Sequence, residues 1–292
     1  MDTGAAGATA AVSTLGGGAN AVNIVTAEDL GGGLKGGFDA QMRFNAATGD
    51  RNSAGTGAAL FHGSNVYLSG GFGSVRMGKI IEASNCAFDP WACTGGAGTM
   101  AGAPGTLSAL IAAGTIANSV SYTTPTVAGF SASYHTAVST RSNERSVVNV
   151  SYANGPIAAQ FLQSKNGANT AGDTATVGGD VKGQGTSIGA SYDFGVAKLN
   201  LVNAVTENAA GVKTQNITSV SASVPMGAYT ILAGYNKAKT GEGYTATSAN
   251  DTKTALGVNY ALSKRTTLGA DVFKQEQAGG STGFVVRARH TF

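Results

Sequence analysis

The chain has 292 residues, of which 44 are Gly, 5 are Pro and only 12% are charged. Glycine without a three-residue period excludes a collagen helix, and so few charges on so apolar a chain exclude disorder. Its 19 Lys and Arg against 16 Asp and Glu give a net +3, scattered singly except at Lys264-Arg265, so no basic stripe tracks phosphates and no nucleic-acid partner is expected. Met1-Asp2-Thr3 carries neither the basic start nor the apolar core of a signal peptide, so a leader is expected to have been removed or to lie upstream. No stretch approaches the roughly 18 apolar residues of a membrane helix. A membrane span would have to be made of strands, because lipid offers no partner to a free backbone N–H.

The first clear element is LKGGFDAQMRF (34–44). Leu34, Gly36, Phe38, Ala40, Met42 and Phe44 form one face, whereas Lys35, Asp39, Gln41 and Arg43 fall on the other. Period-two alternation of this kind predicts a strand with one apolar and one wet side. The split returns in SIGASYDF (187–194), where Ile188, Ala190, Tyr192 and Phe194 oppose Ser187, Gly189, Ser191 and Asp193. It recurs in SVSASV (219–224), AYTILAGY (228–235), TKTALGVNYAL (252–262) and the last stretch, GFVVRARHTF (283–292). No helical period competes over any comparable length.

Short turns fall at 29–33, 69–73, 126–129, 153–156, 193–196, 224–227 and 262–265, and longer polar stretches such as 46–58, 165–185 and 238–251 lie between them. Seven short turns pair fourteen strands between Val22 and Gln275, and one more at each end makes sixteen. Short turns on one side and long loops on the other are the pattern of a transmembrane antiparallel β-barrel, whose closure leaves no edge. The expectation is one such barrel domain over residues 1–292. Its longest connection, about residues 80–117, holds both cysteines and the only Trp, and is expected to fold inward and narrow the lumen. Cys86 and Cys93 sit seven apart, and a disulfide closing this small loop is favoured over a metal site, which would need further ligands nearby.

Several segments then resemble a known family in the expected order. AEDLGGGLKGGF (27–38), VYLSGGFGSVRMGK (66–79), ANSVSYTTPTVAGFSASY (117–134), VSYANGPIAAQF, IGASYDFGVAKL, LGVNYALSKRTTLGA and the closing RHTF are similar to segments of the general porins of β-proteobacteria, of the Neisseria, Bordetella and Comamonas type. The resemblance covers essentially the whole chain. It implies a sixteen-stranded barrel in the bacterial outer membrane, contacts with lipid and lipopolysaccharide, a homotrimer, and passive diffusion of small hydrophilic solutes and ions. It also implies that the third external loop enters the pore and that Phe292 ends the last strand as part of the assembly signal. Met1-Asp2-Thr3 resembles the middle of the family's first strand, so several strand residues are expected to precede it. The arginines that the family carries on the wall facing that loop align with Ala21, His62, Thr115 and Ser121 here, so strong anion selectivity is not expected. His62 is expected to be partly cationic near neutrality.

Parity assigns Lys35, Asp39, Arg43, Arg76, Lys198, Lys253, Asp271, Arg287 and Arg289 to the wet side, with Asp193. Glu82 and Asp89, in the long connection, are expected to project into the pore. Together these groups would make a transverse field that sets a weak ion preference. The plainer expectation is a solvated wall with some wall ion pairs, such as Asp39 with a neighbouring Lys or Arg. Phe38, Tyr122, Tyr134, Tyr192, Tyr229, Tyr235, Tyr260 and Phe292 fall outward, as interface girdles or subunit contacts. His62, His135 and His290 lie far apart in sequence, no HExxH or GxSxG occurs, and the Gly-rich run at 70–74 sits between strands. Neither an enzyme, a metal site nor a cofactor is expected. The alternative to a diffusion pore is a substrate-selective channel, which lumenal stacking by Phe88 or Trp91 would favour. A β-solenoid would need a fixed short repeat, and none is visible.

Overall fold

The computed structural model describes residues 20–44, 49, 60–81, 83–84, 86–91, 115–138, 145–166, 183–208, 210–239, 252–276 and 281–291. Its elements are β1 (Asn20–Val25), β2 (Glu28–Gly31), β3 (Leu34–Phe44), β4 (Gly63–Gly70), β5 (Gly73–Ile81), β6 (Thr115–Thr123), β7 (Phe130–Ala137) and β8 (Ser146–Asn154). They continue as β9 (Ile157–Asn166), β10 (Gly183–Asp193), β11 (Lys198–Asn208), β12 (Lys213–Met226), β13 (Tyr229–Lys239), β14 (Thr252–Ala261), β15 (Thr266–Gln275) and β16 (Ser281–His290). All sixteen segments belong to one sheet: β1 and β3–β16 neighbour one another in sequence order, β2 also pairs with β3, and every pair is antiparallel. The fold is the expected antiparallel barrel.

β1 and β2 are two halves of one staff, since both pair with β3. Thr26 interrupts them without leaving the ladder: its N–H donates to the Phe38 carbonyl, and its Oγ1 accepts from the Phe38 N–H. The strand expected before Val22 would occupy residues 1–19, which lie outside the described residues.

All seven short turns appear where the sequence places them. Asp29 Oδ1 accepts from the Gly31 N–H, and Asp193 Oδ1 from the Gly195 N–H, a local bond that lets the chain reverse without a ladder partner. Gly195 then turns at φ +80°, where a Cβ would be strained. On the opposite rim the link between β11 and β12 is short. Only residues 209–212 separate β11 from β12, and Asn208 closes the hairpin by accepting from the N–H groups of Ala210 and Val212. β12 then runs for 14 residues.

The sheet is apolar on its outside. Ile188, Leu256 and Met77 are 61%, 60% and 56% exposed, whereas their inward neighbours Ser187, Gly189, Ala255 and Gly257 face the lumen. Ring pairs Phe130–Tyr152, Tyr192–Phe194 and Tyr229–Tyr260, with centroids 4.5–4.7 Å apart, collect at the short-turn end of the outer surface. Farther along β11 and β12, the outward row becomes polar, with Asn203 donating to Asn216 and Thr218. An apolar belt edged by aromatics and then by amides is the profile of a strand crossing a bilayer. Tyr122, Tyr134 and Tyr235 are outward as expected, and Phe292 lies outside the described residues. No helix is long and apolar enough to cross a membrane among the described residues.

If lipid covers this surface, L256K should lower unfolding stability in liposomes by about 2–4 kcal/mol. A urea titration that leaves the midpoint unmoved would place this row away from the hydrocarbon.

Candidate functional site

The inner face of the sheet encloses the candidate site. On β3–β5 the register brings Asp39 beside Asn65 and Tyr67 beside Arg76. Arg76 Nη1 donates to Asp39 Oδ2, making the wall ion pair that the strand parity suggested, and to Asn65 Oδ1 at 2.9 Å. Its guanidinium stacks 5.0 Å from the Tyr67 ring centroid. Tyr67 reaches this position because residue 37 is Gly: a Cβ there would lie 2.7 Å from the ring. The Tyr67 hydroxyl then donates to the Thr26 carbonyl at the interruption between β1 and β2. Arg43 and Gln41 continue the polar wall, with Arg43 Nε donating to Gln41 and Gln41 Nε2 to Asn23. A cavity of ≈ 270 Å³ opens against Asn23, Asp39, Gln41, Asn65 and Arg76.

The opposite wall is sealed. After β5 the chain turns through a short 3-10 segment, Cys86–Phe88, and carries two aromatics into the barrel. Gln160 Nε2, on β9, donates to the Ser84 carbonyl at 3.3 Å. Phe88 lies over Gly189 of β10, where a Cβ would stand 2.5 Å from the ring, and packs with Ile116, Val147, Leu162, Val202 and Ile217. Trp91 is fully buried against Leu232, Ala255, Phe273 and Val285. Its indole Nε1–H donates to Asp271 Oδ1 at 3.0 Å. Asp271 is ion-paired with Arg287, and Arg287 donates to Asn259.

The structure therefore sorts the sequence-derived candidates. Asp39, Arg43 and Arg76 stand together on the partly open wall. Lys35, Lys198 and Arg289 lie toward the short-turn rim and are exposed or partly so. Lys253, Asp271 and Arg287 are on the inner face as parity required, but they are covered: Lys253 and Asp271 are 1% and 2% exposed. Asp89 departs from its expected projection into the pore, for it is buried and its Oδ1 accepts from the Trp91 N–H, holding the turn that aims the indole. Cys86 carries no free thiol. Glu82 and Cys93 lie outside the described residues. Asn65, Tyr67 and Asn259 were missed, being uncharged; the signal for Tyr67 was the glycine opposite it at 37. Among the described residues no cluster of His, Cys, Asp and Glu could hold a metal ion.

A charge-lined, partly filled lumen inside an outwardly apolar barrel now has its match. The model of the Gram-negative porin family fits residues 1–279. The chain belongs to the Gram-negative porin family. This porin is similar to outer membrane porin protein 32 of Delftia acidovorans, with 30% identity over 281 residues covering 88% of this chain and 74% of the relative. Its fold matches the anion-selective porin from Comamonas acidovorans with a TM-score of 0.73 at 26% identity, over 96% of this chain and 91% of that one. The loop L8 deletion mutant of OmpT from Vibrio cholerae shares the fold, with a TM-score of 0.63 at 18% identity over 92% and 89% of the two chains. The porin is an outer-membrane protein whose barrel forms a channel for passive diffusion.

His62, at the end of the connection into β4, corrects one expectation. It was expected to be partly cationic near neutrality. Burial, and then the charges of Arg43 and Lys79, push its imidazole down to about 4, so it is neutral across the physiological range. Because the shift is downward, the proton arrives only as pH falls through about 4. H62Q should therefore leave the reversal potential in a salt gradient unchanged between neutral and mildly acidic pH. Below about 4, the native channel alone should gain anion preference. A difference between the two already at neutral pH would mean that His62 is charged there.

Proposed function

We propose that this porin is a weakly selective diffusion channel for small hydrophilic solutes and ions, narrowed by the connection over residues 80–117, and that it works as a homotrimer among outer-membrane lipid and lipopolysaccharide. The observation that carries the reading is the position of Phe88 and Trp91. Both belong to that connection, and both pack against inward-facing strand residues. Chain lodged inside a barrel reduces its cross-section without any moving part. The segment is further proposed to be pinned by a Cys86–Cys93 disulfide.

Weak selectivity follows from how the wall charges are arranged. Arg76 is matched by Asp39 and Arg287 by Asp271. Arg43 and the rim groups Lys35, Lys198 and Arg289 leave a small cationic excess, which favours anions slightly. The relative from Comamonas acidovorans is anion-selective, consistent in sign. The trimer is supported by OmpT of Vibrio cholerae, a protein of the same fold solved in a trimer form.

A substrate-selective channel would need an exposed stacking platform. Phe88 and Trp91 are 4% and 0% exposed, so their rings are spent on packing and offer no face to a passing solute. This favours the diffusion reading.

Single-channel recording in a planar bilayer under a salt gradient tests it. Stepwise insertions in threes with a small reversal potential of anion-preferring sign are expected, and deletion of residues 85–105 should raise the conductance. A conductance unchanged by the deletion would remove this segment from the constriction. D39N should shift the reversal potential toward anions, because it leaves Arg76 unmatched; no shift would mean that this pair does not face the conducting path.

A further inference from the structure

The turn between β14 and β15 carries charge that the channel does not use. Of the seven short turns, only 262–265 holds basic residues, Lys264 and Arg265. The turns at 29–33 and 193–196 each hold an Asp, and the other four hold no charge. Both cations are exposed, and neither has an ion-pair partner among the described residues. The turn itself is well tied. Ser263 Oγ accepts from the N–H groups of Arg265 and Thr266, and the Arg265 carbonyl accepts from the Thr291 N–H. That last bond draws the end of β16 alongside, where His290 faces outward with its Nδ1 2.9 Å from Thr266 Oγ1.

No carboxylate is available to balance this cluster. Residues 252–292 contain two acids, Asp271 and Glu276. Asp271 is ion-paired with Arg287 on the inner face, and Glu276 with Lys274 at the long-loop end of β15. Elsewhere on the short-turn rim, Lys35 and Lys198 stand opposite Asp29 and Asp193, so an anion arriving there meets a carboxylate as well. Just inside the turn, the outer surface is apolar. Leu262 and Leu268 are exposed, and Tyr260 lies against Tyr229 in the aromatic belt. Cations directly beyond such a belt stand at headgroup depth. Short turns face the periplasm, so the leaflet they meet is the phospholipid leaflet.

We propose that the 262–265 turn is a seat for an anionic glycerophospholipid: Lys264 and Arg265 take its phosphodiester, His290 flanks it, and its acyl chains run over Leu262 and Leu268. An ammonium and a planar guanidinium both donate charge-assisted hydrogen bonds to phosphate oxygens. This rests on the reading that outer-membrane lipid surrounds the barrel, and it adds which lipid chemistry is selected and where. The competing occupant is a second copy of this chain, whose Glu28 faces outward on β2. One carboxylate would leave one of the two cations unmatched and the leucines uncovered, whereas an anionic lipid answers to both.

A local fluorescence reporter tests the seat in the full-length porin. Leu262→Trp is refolded into phosphatidylcholine vesicles that contain a minor fraction of brominated-acyl lipid, either phosphatidylglycerol or phosphatidylcholine. Trp91, fully buried, supplies a constant background. Quenching should report enrichment of phosphatidylglycerol by about fivefold, the factor equivalent to about 1 kcal/mol from one cation near a membrane surface. K264Q with R265Q should abolish the excess, and high salt should weaken it. K237Q removes an exposed cation toward the long-loop end of β13 and should leave the excess intact. Heat-modifiability on a gel shows that each variant is folded, and L268W carries the reporter if L262W does not fold. Equal quenching by the two lipids with both cations present would overturn the seat while leaving lipid contact in place. No quenching by either lipid would mean that this row meets no lipid, and the wider reading would fail with the seat. An excess that survives K264Q with R265Q would overturn the role of the turn. Loss of the oligomer band in that variant, with no phosphatidylglycerol excess in the parent, would assign the cations to a second copy instead.

Discussion

The whole structure depends on the requirement that a backbone in lipid must satisfy its own hydrogen bonds. Hydrocarbon has no donor or acceptor to lend, so every strand needs a strand on each side. That demand fixes the antiparallel ladder from β3 to β15, with each strand paired on both sides. It also inverts the usual distribution of side chains. Leu, Ile, Val and Tyr point outward to solvent that is itself apolar, and Ser, Asn, Thr and Gly point inward. Where Thr26 breaks the run between β1 and β2, its side chain and backbone both bond Phe38, so even the interruption leaves no orphaned group.

An inverted barrel poses a second problem, because its interior is too wide to be filled by its own wall. Among the described residues, the chain resolves this beside β8–β16. Phe88 and Trp91 bring large rings inward, and the wall yields space with Gly189 and Gly257. Two lumenal clusters form, one around Phe88 and one around Trp91, each made of apolar residues that sit among polar neighbours on the inward rows. Val202, Leu232 and Val285 break the simple alternation of wet and greasy faces, and they do so where a ring covers them. The wall of β3–β5 keeps Asp39, Asn65 and Arg76 in contact with the cavity.

How far this could be read from the sequence follows from what a period of two encodes. Alternation reports which face a residue is on, so the strands, the seven turns and the outward tyrosines were legible. It does not report what lies above that face. Parity puts Lys253, Asp271 and Arg287 on the inner face, yet it is silent on the indole of Trp91 that meets Asp271 from 180 positions away in the chain. The position of Asp89 was hidden for a related reason, since a carboxylate two residues before an indole turns its oxygen onto a backbone N–H rather than toward water. One signal was present and went unread. Gly257, Gly269 and Gly283 stand on the wet faces of three successive strands, where solvent alone would have accepted any small polar residue.

Partial filling explains why net charge is a poor guide to the pore. The chain carries +3 overall, but charges of opposite sign are matched locally, Arg76 with Asp39 and Arg287 with Asp271. A matched pair presents a dipole whose field falls off faster than that of a lone charge, and salt screens what remains within about 10 Å at 0.1 M. Removing either partner of the Arg76–Asp39 pair therefore exposes a full charge at the open wall, whereas changing a rim lysine alters a field already weakened by solvent. On the diffusion reading proposed above, ion preference depends less on how many basic residues face inward than on which of them remain unmatched beside the cavity lined by Asp39 and Arg76.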